Sequence, residues 1–368
     1  MKVLHILAEL RFSGAEIMYT AAGKTFNKLG CELFVANTSV IKGEYAPFFE
    51  KAGYKVMYWP IESKPSLIKQ LAFSRKVQKF VRDNHIDVIH VHRNGLKVIM
   101  AFTAWKCGIR SIYTYHNVFP SRKITYPYHV LQRFVAKKVF KEIQQTISDS
   151  VYEHERDYYH NETFKVYNWY NTKKFFPAND GEMSAIREEL GIPQNSLVII
   201  SIGGCSIVKR HEDVIYAMDI LRKDLDVIYL HLGEGDTLEE EKKIAANMGV
   251  DNRIMFLGNQ TNVRKFLIAS DIYVMPSRFE GISITTIEAM ACKIPAILYA
   301  VPGLKDFNKD AECSVQVKED PALLAEAILQ LYHDQCKQKR MIENAYTLVR
   351  EKYDMERNVK EIFELYTS

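Results

Sequence analysis

The chain has 368 residues, 47% of them hydrophobic and 26% charged, with a formal net charge of +4. That length exceeds what one hydrophobic core usually supports, so two domains are expected, and no run of about 18 apolar residues marks a membrane span. Six scattered cysteines without a C-x-x-C pair argue against a structural zinc site and fit reduced thiols in a cytoplasmic protein.

Charge is unevenly spread. Residues 1–180 carry 27 Lys+Arg and 15 Asp+Glu, a net of +12, whereas residues 181–368 carry 22 and 30, a net of −8. A basic first half beside an acidic second half predicts that the two halves face different partners. The opening MKVLHILAEL meets Glu9 and Arg11 after a short apolar run. It reads as a buried first strand rather than a signal peptide.

In chain order, short β-rich runs follow: KVLHILA, ELFVANT, KVMYWP, DVIHVH, SIYTYH and EIQQTIS. Helix-like spacers such as LIKQLAFSRKVQKFVRDN and GLKVIMAFTAWKC lie between them. The segment NWYNTKKFFPANDGEMS, rich in Asn, Asp, Pro and Gly, reads as a seam. Beyond it the alternation restarts with SLVIISIGG and continues through DVIYLHLGEG, NRIMFLG, DIYVMPS and PAILYA. Apolar strands alternating with helices predict parallel sheets covered on both faces, here two doubly wound α/β domains.

Ligands of such sheets sit beyond the C-terminal strand ends. Four loops have that address: ELRFSGAE, HNVFPSRK, GGCSIVKRHED and SRFEGISITT. In the last, Ser283 is placed to cap a helix from about Ile284 to Cys292, and Gly281 lets backbone approach a ligand. Peptide N–H groups near Ser283, Ile284 and Thr285 would point at an anion. Glu288, one turn in, is too far along to cap and is placed to accept from a vicinal diol. Glu280 lies on the preceding loop. A solvated glutamate at a helix start is the plain alternative.

The stretch DIYVMPSRFEGISITTIEAMACKIPAI resembles the signature region of the retaining GT-B glycosyltransferases of family 4, with its two glutamates. FSGAE, DVIHVH, YTYHN, KVYNWYNTKKFFP, VKRHED, HLGEGD and FLG resemble other parts of that family in order. The resemblance implies two Rossmann-like domains facing each other across a donor/acceptor cleft. The first would span 1–175 and the second 176–351, with the helix at about 352–368 packing back on the first. It implies transfer of a sugar from a nucleotide donor, expected to be UDP-linked, to a glycan or lipid-linked acceptor in cell-surface polysaccharide synthesis. The nucleotide sugar is a co-substrate, and neither cofactor nor metal is expected.

Carried over residue by residue, Glu288 would bind the ribose hydroxyls and Glu280 would face the donor sugar. Lys209 would neutralise the diphosphate, N–H groups near Ser283 and Ile284 would share that task, and Gly281 and Ile282 of the same loop would belong to the nucleotide-sugar site. Gly14 would let the first loop approach donor and acceptor, His116 would contact the transferred sugar, and Asn259 lies where the base is read. Gly204 stands where an arginine is common, so one diphosphate cation is either missing or supplied elsewhere, with Arg210 and Arg264 as candidates. NWYN, Lys293 and the VPG ending at Gly303 depart from the pattern as well.

His90 and His92 alternate on an apolar strand and read first as buried partners. Asp224 and Asp226 lie at the wrong strand end for a site. No P-loop, metal-ligand spacing or full dinucleotide fingerprint is present. A non-catalytic GT-B subunit, a sugar-phosphate binding module and an epimerase or phosphorylase on the same fold stay open as alternatives. Residues 122–141 hold Arg122, Lys123, Arg133, Lys137, Lys138 and Lys141 without an acid, interleaved with apolar residues. That pattern predicts an anionic membrane surface as a partner, on the inner face of the cell membrane, and no nucleic acid.

Overall fold

The computed structural model describes residues 1–118 and 122–368. Its contacts divide the chain into two compact units, Met1–Asn168 with Met355–Ser368, and Trp169–Asp354. The change of unit falls seven residues before the expected 175/176 seam. Trp169 and Tyr170 are buried, and the Tyr170 N–H donates to the Tyr353 carbonyl within the second unit (3.2 Å). The last helix, Met355–Thr367, belongs to the first unit. Its Asn358 donates to the carbonyls of Tyr167 and Asn168 (both 3.1 Å).

The first unit contains a seven-stranded sheet: β1 (Lys2–Leu7), β2 (Glu32–Asn37), β3 (Tyr54–Tyr58), β4 (Val88–Val91), β5 (Arg110–Tyr115), β6 (Ile143–Thr146) and β7 (Phe164–Lys165). Their order is β3-β2-β1-β4-β5-β6-β7, and every pairing is parallel. The register sets His5 of β1 beside His90 of β4, which in turn faces Ile112 of β5. The second unit contains β8 (Leu197–Ile202), β9 (Val227–Leu232), β10 (Ile254–Phe256), β11 (Ile272–Met275), β12 (Ala296–Tyr299) and β13 (Val315–Val317). Their order is β10-β9-β8-β11-β12-β13, again parallel throughout. All six residues of β8 are buried, as a strand covered on both faces requires.

The helix Leu67–Asn84 coincides with its sequence pattern and is capped by Ser66, whose Oγ accepts from the Lys69 N–H. The two-residue β7 and three-residue β13 carry too little pattern to be read in advance. In the basic segment a helix spans Tyr126–Phe134 and passes into a wider turn over Val135–Val139. Arg133 is not part of a solvated basic face there. It is buried and makes two hydrogen bonds to the Glu155 carboxylate (both 2.6 Å).

Candidate functional site

In the second unit the loops after β8, β9 and β10 are stitched at the strand ends. Gly233 has φ +138°, and a Cβ there would fall 1.9 Å from the Gly203 carbonyl oxygen, so only glycine lets these two loops meet. Cys205 bridges to Gly235, and Gly233 to Gly258. This packing fixes the loop that ends in Lys209 and Arg210. The Lys209 ammonium donates to Glu280 Oε1 (2.5 Å), with both side chains mostly covered. The lysine expected at a diphosphate and the glutamate expected at the sugar are thus brought into one pair.

Gly303 holds the other side of that loop. Its φ is +81°, and a Cβ would fall 2.4 Å from the Glu280 carbonyl oxygen. Beyond Glu280, the helix Ile284–Ala291 begins with Ser283 as its cap. The Ser283 Oγ accepts from the Thr286 N–H (3.2 Å), and the helix stops one residue short of the expected Cys292. The N–H groups of Ile284 and Thr285 have no intrahelical partner and stand at the positive end of the helix dipole. Glu288 is buried one turn in. Burial pushes its carboxyl up to about 8, partly opposed by the charge of Lys174. It is therefore largely protonated at neutral pH, unlike the solvated glutamate of the plain alternative.

Asn259, Gly281, Ile282 and Gly204 lie on the same loops. Asn259 is exposed, its amide 3.4 Å from Glu234 Oε2. Ile282 is buried, and Gly204 sits against the Glu234 carbonyl. The two arginines expected to replace the missing cation are differently engaged. Arg210, at φ +52°, makes two hydrogen bonds to Asp213 (2.6 and 2.8 Å). Arg264 is held by both oxygens of Glu182 and by the carbonyls of Phe176 and Pro177. Both guanidiniums are thus held by carboxylates of their own, whereas Lys209 is paired with Glu280, the other residue expected at the donor.

In the first unit Gly14 opens the helix Gly14–Lys28 and is exposed. The loop HNVFPSRK includes residues 119–121, which lie outside the described residues. His116 follows β5 and is half-buried. Its Nε2 lies 3.0 Å from Nδ1 of His92, and His92 Nε2 lies 3.2 Å from Nδ1 of His5. Burial lowers the imidazoles of His5 and His116 to about 3 and about 4, so both are neutral at physiological pH. His90, read as a buried partner, bonds Thr114 Oγ1 and Tyr366 Oη (both 2.7 Å).

Among the described residues, two side-chain groups that linear spacing does not announce bring N, S or O donor atoms within 4.8 Å of one another, His5–His90–His92 and Cys205–His231–Glu241. Their members come from separate elements, so no linear motif announces them. In the second group Glu241 accepts from His231 Nε2 (2.9 Å) and Thr237 Oγ1 (2.7 Å).

The family described as Glycosyltransferase Family 4 matches residues 12–174, and the family described as Glycosyl transferases group 1 matches residues 182–348. An N-acetyl-alpha-D-glucosaminyl L-malate synthase of Bacillus anthracis is 26% identical over 306 residues, covering 80% of this chain and 78% of its own. An Escherichia coli UDP-Gal:alpha-D-GlcNAc-diphosphoundecaprenol alpha-1,3-galactosyltransferase is 24% identical over 314 residues, with coverage of 77% and 78%. HepE of Anabaena, solved in complex with UDP and glucose, superposes with a TM-score of 0.83 over all of both chains at 18% identity.

Proposed function

The chain is a GT-B glycosyltransferase, and from that premise we propose that it moves a sugar from a UDP-linked donor to a glycan or lipid-linked acceptor with retention of configuration. The observation that carries this reading is the Lys209–Glu280 pair beside a capped helix N-terminus and the buried carboxyl of Glu288. A nucleoside diphosphate needs a cation and N–H donors at its phosphates and an acceptor for its ribose diol. UDP in the HepE complex and UDP-galactose in the name of the Escherichia coli relative support uridine as the base.

As the bond from the anomeric carbon to the diphosphate breaks, negative charge grows on the leaving oxygen. Lys209 and the N–H groups of Ile284 and Thr285 stabilise that charge without reorganising. The acceptor hydroxyl bonds to the anomeric carbon, and its proton passes to the leaving phosphate. Glu280 faces the sugar, and the family resemblance gives His116 the role of contacting it.

A thermal-shift panel of UDP-, GDP- and ADP-sugars tests the donor, because a ligand at 100 times its Kd stabilises by about 2.7 kcal/mol. UDP-sugars should raise Tm alone, and transfer should survive EDTA. A larger shift with GDP- or ADP-sugars overturns the uridine assignment, and loss of transfer to EDTA restored by Mg²⁺ overturns the lysine-and-dipole mechanism.

The basic segment supports a further part of this reading, docking on an anionic membrane. Among the described residues no helix is long and apolar enough to cross one. Ile124, Tyr128, Leu131 and Phe134, spaced by three or four residues, are nevertheless exposed in a row. Arg122, Lys123, Lys138 and Lys141 are exposed around them. Apolar side chains flanked by lysines suit a headgroup region, where a lipid-linked acceptor would be presented.

A further inference from the structure

We propose that His5, His92 and His116 form one tautomeric relay, in which the buried end at His5 dictates that His116 presents Nδ1–H, a hydrogen-bond donor, at the end of β5. The proposal rests on the reading of His116 as the residue facing the transferred sugar.

The argument begins with counting protons. Three imidazoles stand in series, Nδ1 of His5 to Nε2 of His92 (3.2 Å) and Nδ1 of His92 to Nε2 of His116 (3.0 Å). Burial holds all three neutral at physiological pH, since His92 is lowered well below its ordinary value alongside His5 and His116. A neutral imidazole carries one N–H and one lone pair. Both hydrogen bonds can then be satisfied in only two ways. Either every ring donates inward, leaving an N–H at His5 Nε2 and a lone pair at His116 Nδ1, or every ring donates outward with the ends exchanged.

The inner end decides between them. His5 Nε2 is buried and has no hydrogen-bond partner. The His5 ring is 1% exposed and lies among the rings of Tyr19, Phe26 and Tyr54. An orphaned N–H in a dry interior is the rarer defect, more so than an under-satisfied acceptor. The lone pair therefore takes the buried end and the proton goes outward, through Nδ1–H of His92, to leave Nδ1–H on His116. No partner for that outer nitrogen exists among the described residues.

His90, packed against the same rings, does not interfere. Thr114 Oγ1 donates to Gln145 Oε1 (2.6 Å), while both amide hydrogens of Gln145 go to the carbonyls of Thr146 and Val166. Thr114 must then accept from Nε2–H of His90, whose Nδ1 accepts from the Tyr366 hydroxyl. That ring is locked as a separate neutral unit.

His92 and His5 are positioning residues in this scheme. They fix which atom of His116 is a donor, as the hydrogen bond on one ring nitrogen sets the state of the other. A donor suits a sugar hydroxyl oxygen or a ring oxygen. The other tautomer would instead require a hydroxyl hydrogen to point at His116.

Long-range ¹H–¹⁵N correlation spectra of the histidine-labelled full chain at neutral pH read the tautomer directly, with the His116→Ala variant assigning the signals. The expected result is a single neutral His116 protonated on Nδ1. In His92→Leu the relay is cut and His116 should become a mixture. In His92→Asn the amide nitrogen can still donate to His116 Nε2, and the Nδ1–H tautomer should persist. Transfer should follow the spectra: kcat falls by about tenfold in His92→Leu, the scale of one hydrogen bond lost in the transition state, with KM for the donor little changed. It should return toward wild type in His92→Asn. His116 protonated on Nε2 in the wild type, or a tautomer unmoved by His92→Leu, overturns the relay. Should His116→Ala leave transfer intact while the spectra show Nδ1–H, the relay stands and the sugar-facing role of His116 falls.

Discussion

At the scale of single residues, Glu280 on its loop and Glu288 on the helix behind it differ in what surrounds them, and each difference is measurable. Burial holds the Glu288 carboxyl protonated up to about 8. An unfolded glutamate gives up its proton near pH 4.3, so the stability that this group contributes is full below that value and is lost as pH rises toward 8. Accepting two bonds from a ribose diol needs the ionised form. Uridine, which has no phosphate, should then bind more tightly as pH rises from 6.5 to 8, by at most about tenfold per unit for one proton released. Calorimetry in buffers of different ionisation enthalpy should report that proton, and Glu288→Gln should flatten the profile. A flat profile in the wild type removes the diol from Glu288. Glu280 instead shares Lys209 with any phosphate that arrives. Lys209→Ala should weaken UDP more than tenfold, as the loss of a charge-assisted bond of about 1.5–3 kcal/mol implies, and weaken uridine little. Glu280→Gln should abolish transfer yet leave UDP bound as tightly or more so, because the lysine is released. UDP affinity that falls in Glu280→Gln shows that the pair is needed intact.

At the scale of elements, the glycines that hold the loops together matter as much as the charges. Gly303 lets the loop after β12 lie against the backbone of Glu280 and Gly281. In Gly303→Ala an L-residue at φ +81° costs about 1–2 kcal/mol before any clash, and the carbonyl 2.4 Å from the new Cβ must also move. The variant should melt lower and bind UDP weakly; unchanged Tm and Kd would show that the two loops are independent. Much of this architecture is legible in the sequence. The alternation of apolar strands with helices reads as two parallel sheets, and the Ser283 cap and the helix behind it read nearly to the residue, because period and capping are local. What the sequence does not show is pairing between distant segments. Arg264 reads as a spare cation until Glu182, 82 residues earlier in the chain, is seen to hold it. His5 carries no motif at all, and its place beside His90 is a consequence of strand register. Lys174 comes near Glu288 across more than a hundred residues of chain.

At the scale of the whole molecule, the charge asymmetry meets an exposed apolar face, and their coincidence makes a prediction that neither makes alone. The first 180 residues carry a net of +12. The basic segment within them is not uniformly available: Arg133 is buried against Glu155, and the Lys137 ammonium bonds the Glu162 carbonyl. Arg122, Lys123, Lys138 and Lys141 remain exposed, and Leu131 and Phe134 are each more than half exposed between them. Each basic residue near an anionic surface contributes about 1 kcal/mol, a term that salt screens. Burying the apolar row adds a term that salt leaves in place. The wild type should therefore pellet with anionic vesicles at low salt, partition less as salt rises, and stay in solution with neutral vesicles. Arg122, Lys123 and Lys138 changed together to Glu should abolish the salt-sensitive part. Leu131→Glu with Phe134→Glu should weaken binding at every salt concentration, since it removes apolar area and adds repulsion at once. An ordinary solvated helix predicts equal partitioning of all three proteins, and that result would withdraw the membrane from the function proposed for this half of the chain.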